Sequence, residues 1–261
     1  MAQMLNFLPS NAPSPVYVLG VRVDRLTQRQ VLAALRQILS SARAGSRPPC
    51  QQIITVNPEF VMAAQKNTLF RQCINQAALV TADGMGIVWA SRLLRQPTPE
   101  RVTGADTLVE LARLAAEDGY RLYLLGAAPG VAEIAGTRLQ ELAPGLKIVG
   151  TYAGSPAPEE ENEILERIRT AQADIVCVAY GAPAQDLWIY RNLQRLPASL
   201  AMGVGGAFDF LAGRQRRAPH WMRRTGLEWL YRLYREPWRW RRMLALPLFV
   251  FQVIRKGSRP S

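Results

Sequence analysis

Apolar positions along the first two hundred residues follow two rhythms in turn. Short runs that are apolar on nearly every position fall at 52–56, 79–82, 121–125, 174–180 and 200–204, and more mixed runs at 16–23 and 147–152. Runs of that length and kind predict strands, most of them covered on both faces. Between them the spacing is helical: Val31, Leu32, Leu35, Ile38 and Leu39 recur at three and four residues, behind Thr27 as a cap. Pro58 opens a further helix in the first turn, where a missing N–H costs nothing. Helices are also predicted over 84–94, 131–142, 159–170 and 185–193, with 41–49 as a loop. Strands alternating with helices, without an internal repeat, predict an α/β fold of Rossmann-like type: a largely parallel sheet with helices on both faces.

Beyond Gly213 this pattern stops. Arginines are interleaved with Trp221, Trp229, Tyr231, Tyr234, Trp238 and Trp240, and four of the six tryptophans lie there. Thirteen of the 32 basic residues, but only Glu228 and Glu236 of the 20 acidic ones, fall between Arg214 and Ser261, so this stretch carries +11 of the net +12. A body at +1 beside a tail at +11 indicates a segregated role, because solubility alone would be served by an even spread. The division predicts a catalytic-sized α/β domain over 1–213 and a basic amphipathic appendage over 214–261. Arginines suited to anionic lipid, with Trp, Leu and Phe suited to the acyl boundary, predict an appendage lying in a membrane interface. The apolar run 244–254 is broken by Pro247 and Gln252 and is shorter than the about 20 residues a bilayer span needs. The N-terminus has no basic segment followed by a long apolar run, so the expectation is a cytoplasmic protein held peripherally on the inner membrane face.

Candidate chemistry collects where a parallel sheet usually binds ligands, at the carboxyl ends of its strands. The loops TVNPE (55–59), TADGMG (81–86), LLGAAPG (124–130), YGAPAQD (180–186) and GVGGAFD (203–209) all have that address. Glycines in such loops let the backbone approach a ligand, and free N–H groups at helix starts favour phosphate. Gly84, Gly126, Gly205 and Gly206 are the candidates of this kind. Asp83 follows a strand and precedes a helix; it fits either a helix cap or a general base, and spacing does not decide between them.

Several classes are disfavoured. GAAPG is not GxGxxG, and no acidic residue ends the next strand to hold a ribose, which weakens a dehydrogenase reading. Walker and GxSxG motifs are absent, and His220 is the single histidine. Without a DxD pair a divalent metal has no obvious ligands, so no metal or other cofactor is expected. Cys50, Cys73 and Cys177 are widely spaced and read as reduced, buried thiols.

The strings TVNPEFVMAAQKN, TADGMGIVWASRLL, PERVTGADTL, LYLLGAAPGVAE, YGAPAQDLWI and GVGGAFDFLAGRQRRAP, in this order, resemble the signature blocks of the WecG/TagA/CpsF glycosyltransferases. The resemblance runs from about residue 53 to about residue 242. It implies transfer of N-acetylmannosamine, its uronic acid or a hexose from a UDP-sugar to an undecaprenyl-diphosphate-linked sugar. It places the family's catalytic aspartate on Asp83, its threonine and asparagine beside the donor on Thr55 and Asn57, its arginine on Arg101 and its glutamine on Gln185. The implied catalytic set is therefore Asp83, Thr55 and Arg101, with Asn57, Gln185 and the four glycines on the donor. Family tails also bring arginines to the site, for which Arg232, Arg239 and Arg242 are the candidates on spacing. As plainer roles, Arg101 also suits a surface ion pair and Gln185 a helix cap.

Two rival readings are weaker. A nucleic-acid-binding protein would account for the tail but not for the ordered loops of the body, so no nucleic-acid partner is expected. A non-catalytic membrane scaffold would leave Asp83, Thr55 and Gln185 without a purpose. The tail's apolar surface also suits pairing with a second copy of the chain where no membrane is present.

Overall fold

The structure is a computed structural model that describes residues 7, 12–43, 49–215, 218–219, 221–222, 227–235, 237, 240 and 244–256. A small hairpin comes first, β1 (Val16–Val18) and β2 (Val21–Val23), followed by α1 (Gln28–Arg43). The expected single strand over 16–23 is thus two antiparallel ones. Leu19 and Gly20 both take positive φ, 52° and 77°, and turn the chain in two residues. Leucine in that first turn position hid the break from the sequence pattern.

Six strands form the main sheet: β3 (Gln51–Val56), β4 (Leu79–Ala82), β5 (Arg121–Gly126), β6 (Lys147–Tyr152), β7 (Ile175–Ala179) and β8 (Leu200–Gly203). Their order is β4-β3-β8-β7-β5-β6, and every pairing is parallel. The crossovers are α2 (Pro58–Lys66) and α3 (Thr68–Gln76), then α4 (Met85–Leu93) and α5 (Gly104–Asp118), then α6 (Val131–Leu142), α7 (Glu161–Thr170) and α8 (Ala184–Asn192). α9 (Ala207–Leu211) follows β8, and the tail holds α10 (Glu228–Arg235) and α11 (Ala245–Lys256).

Alternation along each strand sends its side chains to two different cores. Ile53, Leu79, Leu122, Leu124, Cys177 and Met202 face α1, α5 and α6. On the opposite face Ile54, Val56 and Val80 meet α2, α3 and α4, while Leu125, Val176 and Val178 meet α7 and α8. The Rossmann-like expectation holds. Edge strand β4 is covered by the segment after the hairpin: Asp24 N–H donates to the Val80 carbonyl and Val80 N–H to Asp24 Oδ2, both at 2.8 Å. Arg22 holds that carboxylate from the other side at 2.8 Å.

α11 corrects the picture of a broken apolar run. Pro247 is its third residue, inside the first turn, where no intrahelical N–H bond is forfeited. Phe249 and Val253 are buried in the same core as α2 and α4, so this part of the tail is docked on the body. Among the described residues no helix is long and apolar enough to cross a membrane.

Candidate active site

The carboxyl ends of β3, β4, β7 and β8 surround a cavity of about 350 Å³. Thr55, Asn57, Asp83, Gly104, Gly181, Gln185, Gly205 and Gly206 are in its wall. A second cavity, of about 130 Å³, lies against it and is bordered by Gly84, Met85, Gly86, Arg101, Trp229 and Leu246. Asn57, Glu59, Asp83 and Glu228 border both. Asp83 therefore stands on the partition between two spaces.

Its position follows from the sheet. Asp83 is the first residue past β4, and its N–H donates to the Val56 carbonyl of β3 at 2.8 Å, which fixes the backbone beside the end of the neighbouring strand. Gly84, not Asp83, is the N-cap residue of α4. The Asp83 carboxylate accepts from the Gly104 N–H, at the start of α5, at 3.4 Å. Of the two roles the sequence left open, a cap for the helix that follows it is thus not the one the backbone assigns.

Two neighbours explain why glycines stand where they do. A Cβ on Gly104 would lie 2.9 Å from Thr55 Oγ1, so only glycine lets α5 begin over that threonine. A Cβ on Gly84 or Gly86 would lie 2.8 or 2.6 Å from the Pro58 ring. The glycines of TADGMG serve the close crossing of α4 and α2, and Gly84 borders only the smaller cavity. Asn57 caps α2, its side chain accepting from Phe60 N–H at 3.1 Å.

Gln185 is almost fully buried and acts as a clamp. Its Oε1 accepts from Gly181 N–H at 3.1 Å and from Gly205 N–H at 3.0 Å, tying the loop after β7 to the loop after β8. Its side chain also bonds to the carboxylate of Asp186, which is buried completely and pushed up to about 7, chiefly by desolvation and against that hydrogen bond. Among the described residues Asp186 Oδ2 has no hydrogen-bond partner. Its backbone carbonyl accepts from Gln52 Nε2 at 2.9 Å and from Cys73 Sγ at 3.4 Å. Sequence reasoning missed Asp186, whose only mark was a charged residue in a segment otherwise destined for burial.

Gly126 corrects the sequence expectation, for it borders neither cavity. In the strand order β5 lies beyond β7, one strand outside the four whose ends form the cavity. With φ of 97° and a would-be Cβ 2.8 Å from the Ala179 carbonyl carbon, Gly126 instead permits close contact of β5 with β7. Arg101 reaches the smaller cavity, where its Nη1 meets Glu228 Oε2 of α10 at 3.1 Å. Of the two roles considered for it, the ion pair is the one observed. Arg239 and Arg242 lie outside the described residues, as does His220; Arg232 is on α10, and its side chain lies outside them too.

Electrostatically the larger cavity is unusual. Its charged described residues are Glu59, Asp83, Asp209 and Glu228, with no lysine or arginine among them. Positive potential comes from the starts of α2, α5 and α8, which open onto it with backbone N–H groups. Among the described residues no group of three or more His, Cys, Asp and Glu side chains is placed to hold a metal ion.

Comparison with known proteins gives this geometry its context. The chain is 34% identical over 204 residues, 78% of its length and 79% of the relative's, to a protein of Bacillus subtilis (strain 168). That relative is named N-acetylglucosaminyldiphosphoundecaprenol N-acetyl-beta-D-mannosaminyltransferase. A protein of the same name in Bacillus spizizenii is 34% identical over 78% of both chains. Another, in Staphylococcus aureus (strain MW2), is 30% identical over 91% of both. The model of the glycosyl transferase WecG/TagA/CpsF family matches residues 16–261, and the chain belongs to that family of glycosyltransferases.

Proposed function

We propose that this enzyme moves a sugar of the N-acetylmannosamine type from a UDP-sugar to a sugar carried on a polyprenyl diphosphate, in the synthesis of a cell-surface polymer. The observation that carries the reading is the place of Asp83 between two cavities. A base for glycosyl transfer has to touch the acceptor hydroxyl while facing the donor's anomeric carbon. The larger cavity, ringed by helix starts, suits the nucleoside diphosphate end of the donor. The smaller one, beside Arg101 and Trp229, suits the acceptor sugar.

In the reaction Asp83 takes the hydroxyl proton as the acceptor oxygen forms its bond to the anomeric carbon. The bond from that carbon to the diphosphate oxygen breaks, and UDP leaves with the electron pair. Attack from the side opposite the leaving group inverts the anomeric centre. Negative charge grows on the departing diphosphate, where backbone N–H groups stabilise it. The larger cavity has no described cationic side chain of its own. The tail arginines Arg232, Arg239 and Arg242 are assigned to supply that charge, and no resident metal is required. The +11 stretch from Arg214 onward is assigned to an anionic membrane surface, on the inner face where a lipid-linked acceptor resides.

The test is UDP release with UDP-N-acetylmannosamine and an N-acetylglucosaminyl diphosphate lipid in detergent, with and without EDTA. Acceptor-dependent turnover unaffected by EDTA, lowered about 10²- to 10⁴-fold in Asp83→Asn, is the expected result. An Asp83→Asn variant as fast as the parent would remove the aspartate from the mechanism. Anomeric inversion is read by NMR of donor and product.

A further inference from the structure

A third cavity, a groove of about 460 Å³, runs between α2 and the start of α11. Phe60, Met62, Ala63, Phe70, Leu244 and Leu248 form most of its wall. Its two charged residues, Glu59 and Lys66, are seven positions apart on α2, about 10 Å along the helix axis, and Phe60, Met62 and Ala63 lie between them. Glu59 borders this groove and both cavities, Leu244, Ala245 and Leu248 of the groove flank Leu246 of the smaller cavity, and Phe60 and Ala182 are shared with the larger one, so the groove adjoins the space assigned to the acceptor.

We propose that this groove binds the first isoprene units of the acceptor's polyprenyl chain. The inference depends on the acceptor class assigned above and adds to it where the lipid goes. An acceptor whose sugar hydroxyl reaches Asp83 still carries its diphosphate and hydrocarbon on the far side of that sugar. The hydrocarbon leaves the site along the surface that removes it from water, and the groove supplies that surface directly beside the catalytic residues. Leu248, on a helix whose Phe249 and Val253 are buried in the body, and Leu244, just before that helix, are both exposed. That leaves two leucines bordering a groove open at its outer side, as a ligand with a long apolar tail requires. Because one wall is the tail helix and the other is α2 of the body, the groove also makes the tail part of the acceptor site.

Two acceptors with the same N-acetylglucosaminyl diphosphate head, one a farnesyl ester and one a methyl ester, test the assignment. The expected ratio of their kcat/KM values is at least about tenfold in favour of farnesyl, expressed in KM. Filling the groove with Ala63→Trp, or charging its rim with Leu248→Glu, brings the ratio to within about threefold of one. A ratio near one in the unaltered enzyme, or a full ratio in both variants, overturns the proposal. Transfer to neither acceptor would sink the acceptor class instead, and crosslinking then decides for the groove. A diazirine-bearing farnesyl diphosphate labels residues 60–66 and 244–248 saturably, and less so in Leu248→Glu; non-saturable labelling or labelling elsewhere overturns it. Should Leu248→Glu abolish binding to anionic vesicles while the acceptor ratio stands, these leucines serve the bilayer, and the groove assignment fails.

Discussion

The loops that leave β5 and β7 look alike in sequence, LLGAAPG and YGAPAQD, and behave differently in the fold. After β7, Gly181 turns outward, and its N–H is gathered with that of Gly205 onto the single oxygen of Gln185. The resulting frame borders the larger cavity. After β5, Gly126 and Ala127 both take positive φ, and Ala127 N–H bonds back to the Ala179 carbonyl at 3.0 Å. That loop closes onto the neighbouring strand. A glycine at a strand's end therefore marks a tight approach, and strand order decides whether the approach is to a ligand or to another strand.

Alanine substitutions at two glycines separate these cases. At Gly203 a Cβ would lie 2.5 Å from Gln185 Nε2 and 2.6 Å from Asp186 Oδ1, both buried. Gly203→Ala is expected to displace the clamp and to cost up to about 3 kcal/mol in stability. Transfer should fall by about tenfold or more even at temperatures where the variant is fully folded. Gly126→Ala is strained by its φ of 97° and its contact with the Ala179 backbone, and is expected to cost about 2 kcal/mol. Its donor KM should stay within twofold of the parent. Denaturant titration and steady-state kinetics on the two variants check both; a donor KM raised by Gly126→Ala would return the β5 loop to the site.

The next effect in size is one of pH. Burial pushes Asp186 up to about 7 from an ordinary value of 3.8, so between those values the folded chain holds a proton that the unfolded chain has released. Stability from this group is complete below about pH 4 and is lost as pH rises to about 7, at a slope of up to about 1.4 kcal/mol per pH unit. Above pH 7 the contribution is flat. Gln185 touches its carboxylate, and Gln52 and Cys73 its backbone carbonyl; burial also pushes the Cys73 thiol up and keeps it neutral across this window. Asp186→Asn should flatten the stability profile from pH 4 to 7. An unchanged slope in that variant would show that Asp186 is already ionised in the fold across this window.

Much of this could be read from residue order. Five of the six sheet strands follow the apolar runs, because strands covered on both faces have no polar side to confuse the pattern, while the partly exposed edge strand β6 follows the mixed run at 147–152. Thr55, Asn57, Asp83, Gln185, Gly205 and Gly206 come together because all sit at carboxyl ends of β3, β4, β7 and β8. Two helices were missed, α3 and α5. Their caps are a side-chain pattern, Asn67 on Phe70 N–H at 2.9 Å and Thr103 on Asp106 N–H at 3.1 Å; Asn67 alone separates α3 from α2 and leaves no break in the pattern, while α5 follows a polar stretch, 95–103, whose prolines draw the eye away from the helix behind it. The place of Gly126 was missed for another reason: strand order is fixed by long-range pairing, which no local window contains. The Asp186–Gln185 pair was half seen, since a buried carboxylate is intelligible only once the strands around it are in place.

An ion pair between body and tail gives the finest test of how the two cooperate. Arg101 and Glu228 pair at 3.1 Å, both largely shielded from solvent, across the rim of the smaller cavity. A pair so placed contributes little net stability, because desolvation offsets most of the attraction; removing one charge leaves the other largely shielded and unpaired, and should cost about 1–3 kcal/mol. Its expected effect is on binding. If the pair holds α10 over the acceptor sugar, Glu228→Gln raises the KM for a lipid-linked acceptor about two- to fivefold and leaves kcat nearly unchanged. If Glu228 instead competes with a substrate anion for Arg101, the same variant lowers the KM. The arrangement favours the first outcome, because Trp229, the next residue on α10, borders the same cavity and moves with any loosening of that helix. Measured at two salt concentrations, the KM difference between parent and variant should shrink at the higher one, since screening weakens the parent's pair while the variant has none to lose.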